Sequence, residues 1–211
     1  MRDNILIING LSVQVSVPVD HSLAFEPGSH GARRRVVPCE MGVLHWTAGE
    51  GDGPRVHRVL AGRDLSIHFT IDREGVIWQY ADPGVVACAH AGRSMNACSW
   101  GVEVVDYGMA ATVPAKGAAR ERYTCTIHGK ERLVADYLPA QYEAVYALCD
   151  AVHGALGIPR QVWCSEPHGL VRWPQLSKFR GLVGHFHISP RKTDPGVRPL
   201  EFMAARWMGR E

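Results

Sequence analysis

Apolar positions along this chain recur with two different periods, and the changes of period divide it into elements. In ILIINGLSVQVSVP (5–18), two β-rich runs flank Asn9-Gly10, the turn pair that most strongly signals a hairpin. A turn-rich linker follows over 20–31, so residues 1–35 are expected to form an N-terminal hairpin extension and linker, with the main domain spanning 36–211. MGVLHWTAG (41–49) predicts a short buried strand ending in a loop. DGPRVHRVLAG (52–62) predicts a helix, with Pro54 near its start and a closing glycine. SIHFTIDREGVIWQY (66–80) predicts a second hairpin turning at Gly75, and SWGVEVVDYG (99–108) a central strand covered on both faces. A third hairpin is expected around His128-Gly129-Lys130. A helix over 138–157 should carry the apolar stripe Tyr142, Val145, Tyr146, Cys149 and Val152 and end at Gly157. The stretch 160–183 predicts loop with a short helix, 181–189 a strand running into a loop, and LEFMAARWMG a terminal helix. Interleaved strands and helices predict an α/β fold, a single domain with a central mixed sheet flanked by helices.

Composition narrows the function classes. The 211 residues are 46% hydrophobic and 21% charged, with a net charge of only +2, so no general polyanion-binding signature is present. The one basic run, ARRRVV (32–37), reads as a solvated edge, and nucleic acid is not an expected partner. No stretch approaches the roughly 18 apolar residues of a membrane span. The N-terminus makes a poor signal peptide, because its apolar run breaks at Asn9-Gly10. A cytoplasmic location without membrane insertion is therefore expected. The six cysteines form no CxxC pair and read as buried thiols; Cys88 and Cys98 are near enough in sequence to pair, but nothing requires it.

Candidate chemistry concentrates in GHFHISPRKTDPG (184–196), which offers His185, His187 and Asp194 as metal ligands. A catalytic zinc site takes three such protein ligands and leaves one position open. If 185–187 is extended, both histidines face the same way and both could reach one ion. His45 closes an apolar strand and could be another ligand, although a lone histidine beside Trp46 is more often packed in the core. Glu103 places a carboxylate within an apolar strand. It either faces solvent at a sheet edge, or sits beside water at a metal with the raised pKa of a general base.

Four segments in order, VLHWTAG, SIHFTIDREGVIWQY, AHAG through SWGVEVV, and GHFHISPRKTDPG, resemble the zinc-dependent N-acetylmuramoyl-L-alanine amidases. That superfamily includes phage lysozyme amidases, peptidoglycan-recognition proteins and cytosolic anhydro-muropeptide amidases, and the resemblance covers roughly residues 40–205. It implies one Zn2+ per chain, held by His45, by His185 (five residues before Pro190) and by Asp194, which precedes a proline. It makes Lys192 the catalytic lysine and places His90 and Asn96 along the substrate groove; His68 and His187 are not expected to be ligands. Many phage members carry a catalytic tyrosine where this chain has Ile67. The cytosolic branch instead has a glutamate on the central strand, which matches Glu103 and makes it the water-activating base.

The implied reaction is hydrolysis of the amide between N-acetylmuramic acid and L-alanine, with peptidoglycan or a muropeptide as substrate. A phage-type endolysin, held in the host cytoplasm until it is released to the wall, is the preferred expectation, and it fits the poor signal peptide, although the match at Glu103 is to the cytosolic branch. The alternatives are a cytosolic recycling amidase, a binding module without hydrolysis, and a zinc hydrolase acting on another amide. Oligomeric state and the role of residues 1–35 are not legible.

Overall fold

In the computed structural model, residues 2–112, 120–164 and 166–209 are described. The centre is a seven-stranded mixed sheet in the order β1-β2-β6-β5-β8-β4-β11. Its strands are β1 (Arg2–Ile8), β2 (Leu11–Asp20), β4 (Met41–Trp46), β5 (Phe69–Ile71), β6 (Ile77–Gln79), β8 (Ser99–Val104) and β11 (Gly181–Gly184). Pairs of short strands, β3 (Arg33–Arg34) with β7 (Val86–Ala87) and β9 (Arg122–Ile127) with β10 (Lys130–Ala135), lie outside it. Helices α1 (Gly53–Ala61), α3 (Pro139–Leu156) and α6 (Arg198–Trp207) join the shorter α2 (Arg93–Cys98), α4 (Trp173–Leu176) and α5 (His185–Ile188). The fold is α/β, a single domain, as the interleaved periods predict.

Period-two alternation splits the central strands between two layers. Leu44 of β4, Phe69 and Ile71 of β5, Trp100, Val102 and Val104 of β8, and Leu182 of β11 share one core cluster with Val145, Leu148 and Val152 of α3 and Leu200 of α6. The residues between them on those strands, His45, Thr70 and Glu103, face the opposite side. Strand register lines those residues up: His45 pairs with Glu103, Glu103 with Thr70, and Thr70 with Trp78. β8 lies between β5 and β4, parallel to both, which is the central position read from its sequence.

The N-terminal hairpin is part of this sheet. β2 pairs in parallel with β6 through Val19↔Ile77 and Asp20↔Trp78, and Leu6, Ile8, Val15 and Val19 are buried in the main core. Its turn sits against the 82–84 loop, where Asn9 and Gly10 donate their backbone N–H to the Asp82 carboxylate. α3 ends where expected, at Gly157 with φ +64°, a left-handed C-cap that glycine adopts without a Cβ penalty.

Three local expectations needed correction. The segment after β11 does not open into a loop but turns at once into the single helical turn α5. Helix α2, at 93–98, has no clear apolar stripe and was not anticipated. The basic run is not uniformly solvated. Arg33 and Arg34 are exposed, but Arg35 donates to the carbonyls of Pro83, Ala97, Val86 and Ser99, tying β7 and α2 to the start of β8. All six cysteines are free thiols, Cys88 and Cys98 included. Among the described residues, no helix is long and apolar enough to cross a membrane.

Candidate metal centre

Parallel pairing of β4 with β11 brings the site together. Gly184, the last residue of β11, pairs with Leu44, so His45 within β4 and His185 just past β11 emerge side by side. The carboxyl ends of parallel strands are where α/β sheets collect ligands. The loop after α5 then folds back, with the Phe186 N–H donating to the Asp194 carbonyl at 3.1 Å. Gly184 allows this approach, since a Cβ there would lie 2.6 Å from the Pro195 ring.

Three buried donor atoms converge. Nδ1 of His45 is 2.9 Å from Nδ1 of His185 and 3.2 Å from Oδ2 of Asp194, and Nδ1 of His185 is 2.9 Å from that same oxygen. Ligand atoms about 2.0–2.2 Å from one zinc ion must lie within roughly 3–3.5 Å of one another, so this triangle suits such an ion. Protonation states suit it as well. Burial, and then the neighbouring His185, pull the His45 pKa down to about 4, against the pull of Asp194. Burial alone would raise the Asp194 carboxyl, but the imidazoles of His185 and His45 packed against its Oδ2 outweigh it and hold that group well below the usual carboxylate range. An ionised carboxylate with a neutral His45 imidazole is the state a divalent cation requires. Among the described residues, these three are the only His, Cys, Asp or Glu cluster able to hold an ion.

The cluster opens into a cavity of about 270 Å³ whose lining includes Glu103, His90, Arg63, Arg191 and Lys192. Glu103 is half-buried, and its Oε2 is sealed from solvent without a hydrogen-bond partner. Burial, then the Asp194 charge, push its pKa well above the usual carboxylate value, while Lys192 and Arg63 oppose the shift. Lys192 is exposed at the cavity rim, and its backbone is held from both sides: its N–H donates to Ser189, and its carbonyl accepts from Nε2 of His128 at 3.0 Å.

The other candidate residues fall into different places. His90 lines the cavity and contacts Nε2 of His45 through its own Nδ1 at 3.1 Å. Asn96 does not line it; its side-chain oxygen accepts the N–H groups of His90 and Ala91 and so shapes the loop that carries His90. His187 points away from the triangle, because a helical turn, unlike a strand, sends residues i and i+2 to different sides. Its Nδ1 accepts the Gly184 N–H at 3.0 Å. His68 is spent on backbone, with Nε2 on the Val86 carbonyl and Nδ1 accepting the Gly101 N–H. His128, Arg63 and Arg191 also reach the site or its loop, and nothing in their sequence spacing marks them.

The family model for N-acetylmuramoyl-L-alanine amidase matches residues 35–197, a span that contains all three candidate ligands and both candidate catalytic groups. The chain belongs to that family. Solved structures share its fold at low identity. An N-acetylmuramoyl-L-alanine amidase, LysC from Clostridium intestinale, matches with TM-score 0.54 at 17% identity, over 89% of this chain and 94% of that one. A mutant endolysin from Bacillus subtilis matches with TM-score 0.52 at 18% identity, over 92% and 98% of the two chains. Among curated protein sequences none matches. The family match begins at residue 35, whereas the hairpin before it contributes two strands to this member's sheet.

Proposed function

We propose that this chain is a zinc-dependent hydrolase of the amide between N-acetylmuramic acid and L-alanine in peptidoglycan, working as a phage-type endolysin. The observation that carries the reading is the convergence of His45, His185 and Asp194 on one cavity that Glu103 and Lys192 also line. His45, His185 and Asp194 would hold the zinc ion, which as a Lewis acid polarises the scissile carbonyl and acidifies water.

The chain's own residues account for the proton and charge traffic. Glu103, on β8 directly opposite His45 of β4, accepts a proton from the attacking water and returns it to the nitrogen of the leaving L-alanine. Its raised pKa fits both halves of that task, since the protonated form must persist long enough to act as an acid. Lys192 presents its ammonium to the oxygen that becomes negative as water adds to the carbonyl; losing one such donor costs about 10²–10³ in rate. Arg63 and Arg191 make the rest of the rim cationic, which suits an acidic peptide substrate.

Digestion of purified peptidoglycan by the Zn2+-loaded protein tests the reading. New L-alanine amino termini on free stem peptides are expected, and binding without any new termini would leave a recognition module instead. Faster turnover of intact wall than of soluble anhydro-muropeptide is expected of an endolysin; the reverse order would assign the chain to muropeptide recycling.

A further inference from the structure

A line of hydrogen bonds runs from the candidate ligand His45 into the protein, and its direction can be worked out one proton at a time. It starts at the Met95 carbonyl in α2, 2.7 Å from the Ser99 hydroxyl at the start of β8. A carbonyl can only accept and a serine hydroxyl has one hydrogen, so this shorter contact takes it. The Ser99 oxygen is then left as an acceptor toward Nε2 of His90, 3.3 Å away. His90 must therefore carry its proton on Nε2, which leaves Nδ1 bare. That Nδ1 lies 3.1 Å from Nε2 of His45, so His45 donates there from Nε2–H. A neutral imidazole has one N–H, so Nδ1 of His45 presents a lone pair, and the donor within the triangle is Nδ1–H of His185, shared between that lone pair and the Asp194 carboxylate.

We propose that His90 and Ser99 are positioning residues that lock His45 in its Nε2–H tautomer, keeping Nδ1 ready for a metal ion. His90 would then act through His45 as well as lining the cavity, and α2, the helix that carries Met95, supplies the far end of the line. The backbone is shaped for the arrangement. A Cβ on Gly101 would lie 2.6 Å from Nδ1 of His90, so glycine lets the imidazole lie close against β8. Asn96 holds the His90 and Ala91 N–H groups and fixes the ring's starting point. The Ser99 side chain is buried and Nε2 of His45 faces His90, so water does not readily replace either bond. Partners of this kind, placed behind a ligand histidine, typically change metal affinity about 10–100-fold.

The inference rests on the metal-site reading above for its purpose, but the tautomer can be read without any metal. In the metal-free protein, ¹⁵N-labelled histidine spectra should show His45 protonated at Nε2 and bare at Nδ1; the opposite tautomer would overturn the proposal. Competition with a chelator, with Zn2+ alone as the probe, should show Ser99→Ala and His90→Leu binding about 10-fold or more weakly than the parent. His90→Gln, whose amide oxygen can still accept from Nε2–H, and Ser99→Thr should recover most of the loss. Equal affinity in all four variants would also overturn it. Thermal melts separate affinity loss from unfolding, and if His90→Leu does not fold, the Ser99 pair and the parent spectrum decide. A parent that shows the expected tautomer yet binds no Zn2+ would refute the metal reading and leave the hydrogen-bond assignment standing.

Discussion

Glu103 shows how strongly one side chain's surroundings govern its chemistry. Its Oε2 is sealed and unpartnered, and burial together with the Asp194 charge favours the neutral acid. In the unfolded chain the same carboxyl ionises near its ordinary value. Below that value both states are protonated and the group has no effect on stability. As pH rises above it the unfolded chain ionises first, so the folded state is increasingly penalised until its own raised pKa is passed. Glu103→Gln in the metal-free protein should therefore melt higher than the parent at pH 8 and together with it near pH 4. The same variant should still bind Zn2+ yet lose about 10²–10⁴ in turnover. Retained turnover would move the general base to another residue.

At the scale of elements, the β9–β10 hairpin lies outside the main sheet yet grips the loop that carries Lys192 and Asp194. His128 at its tip donates to the Lys192 carbonyl, and the Tyr123 hydroxyl accepts the N–H groups of Val197 and Arg198. Gly196, at φ +82°, fits under the Tyr123 hydroxyl, where a Cβ would collide with it. His128→Ala should loosen this loop, and trypsin should then nick the exposed Arg191–Lys192 pair faster than in the parent. An unchanged nicking rate would show that the contact does not restrain the loop. The N-terminal hairpin is coupled more tightly. Leu6 and Ile8 are fully buried in the main core, so Leu6→Ala should cost about 2–5 kcal/mol in denaturant unfolding. Removing the hairpin altogether should expose β6 and one side of α3, giving a chain that melts far below the parent or aggregates.

Across the whole molecule, the candidate ligands are 140 and 149 residues apart in sequence from His45, so an ion held there ties distant parts of the chain together. An ion bound only by the folded state stabilises it by mass action. At a Zn2+ concentration about 100-fold above its dissociation constant this amounts to about 2.7 kcal/mol, or roughly 5–10 °C in Tm for a chain of this size. Chelation should lower the melt by that amount and His45→Ala should abolish the difference; a chelator-insensitive parent would argue against a metal site. The buried Arg120–Asp106 pair is a shorter tie, between residues 14 apart, in which burial raises the Asp106 pKa to about 6 while Arg120 opposes the shift.

Local pattern was sufficient to determine most of the elements. The Asn9-Gly10 and His128-Gly129 turns, the Gly157 helix stop and the two-sided β8 each depend on conformational preferences or periodicity acting within a few residues. The order of motifs along the chain was also enough to single out His45, His185, Asp194, Glu103 and Lys192 through the family they resemble. What the sequence did not decide by itself was which groups face each other. By strand periodicity alone His185 and His187 look equivalent, and although the family spacing picks His185, only the helical turn shows why the two side chains part; Asn96 looks like a groove residue until its side chain is seen bonded to the backbone behind His90. Arg35 looks solvated until the fold brings four carbonyls around it. Periodicity carries information over one or two turns of chain, whereas a site is assembled by strand register and packing between segments more than a hundred residues apart. The proton order along Ser99, His90 and His45 belongs to that second kind, because it exists only once three separate segments lie within hydrogen-bond reach.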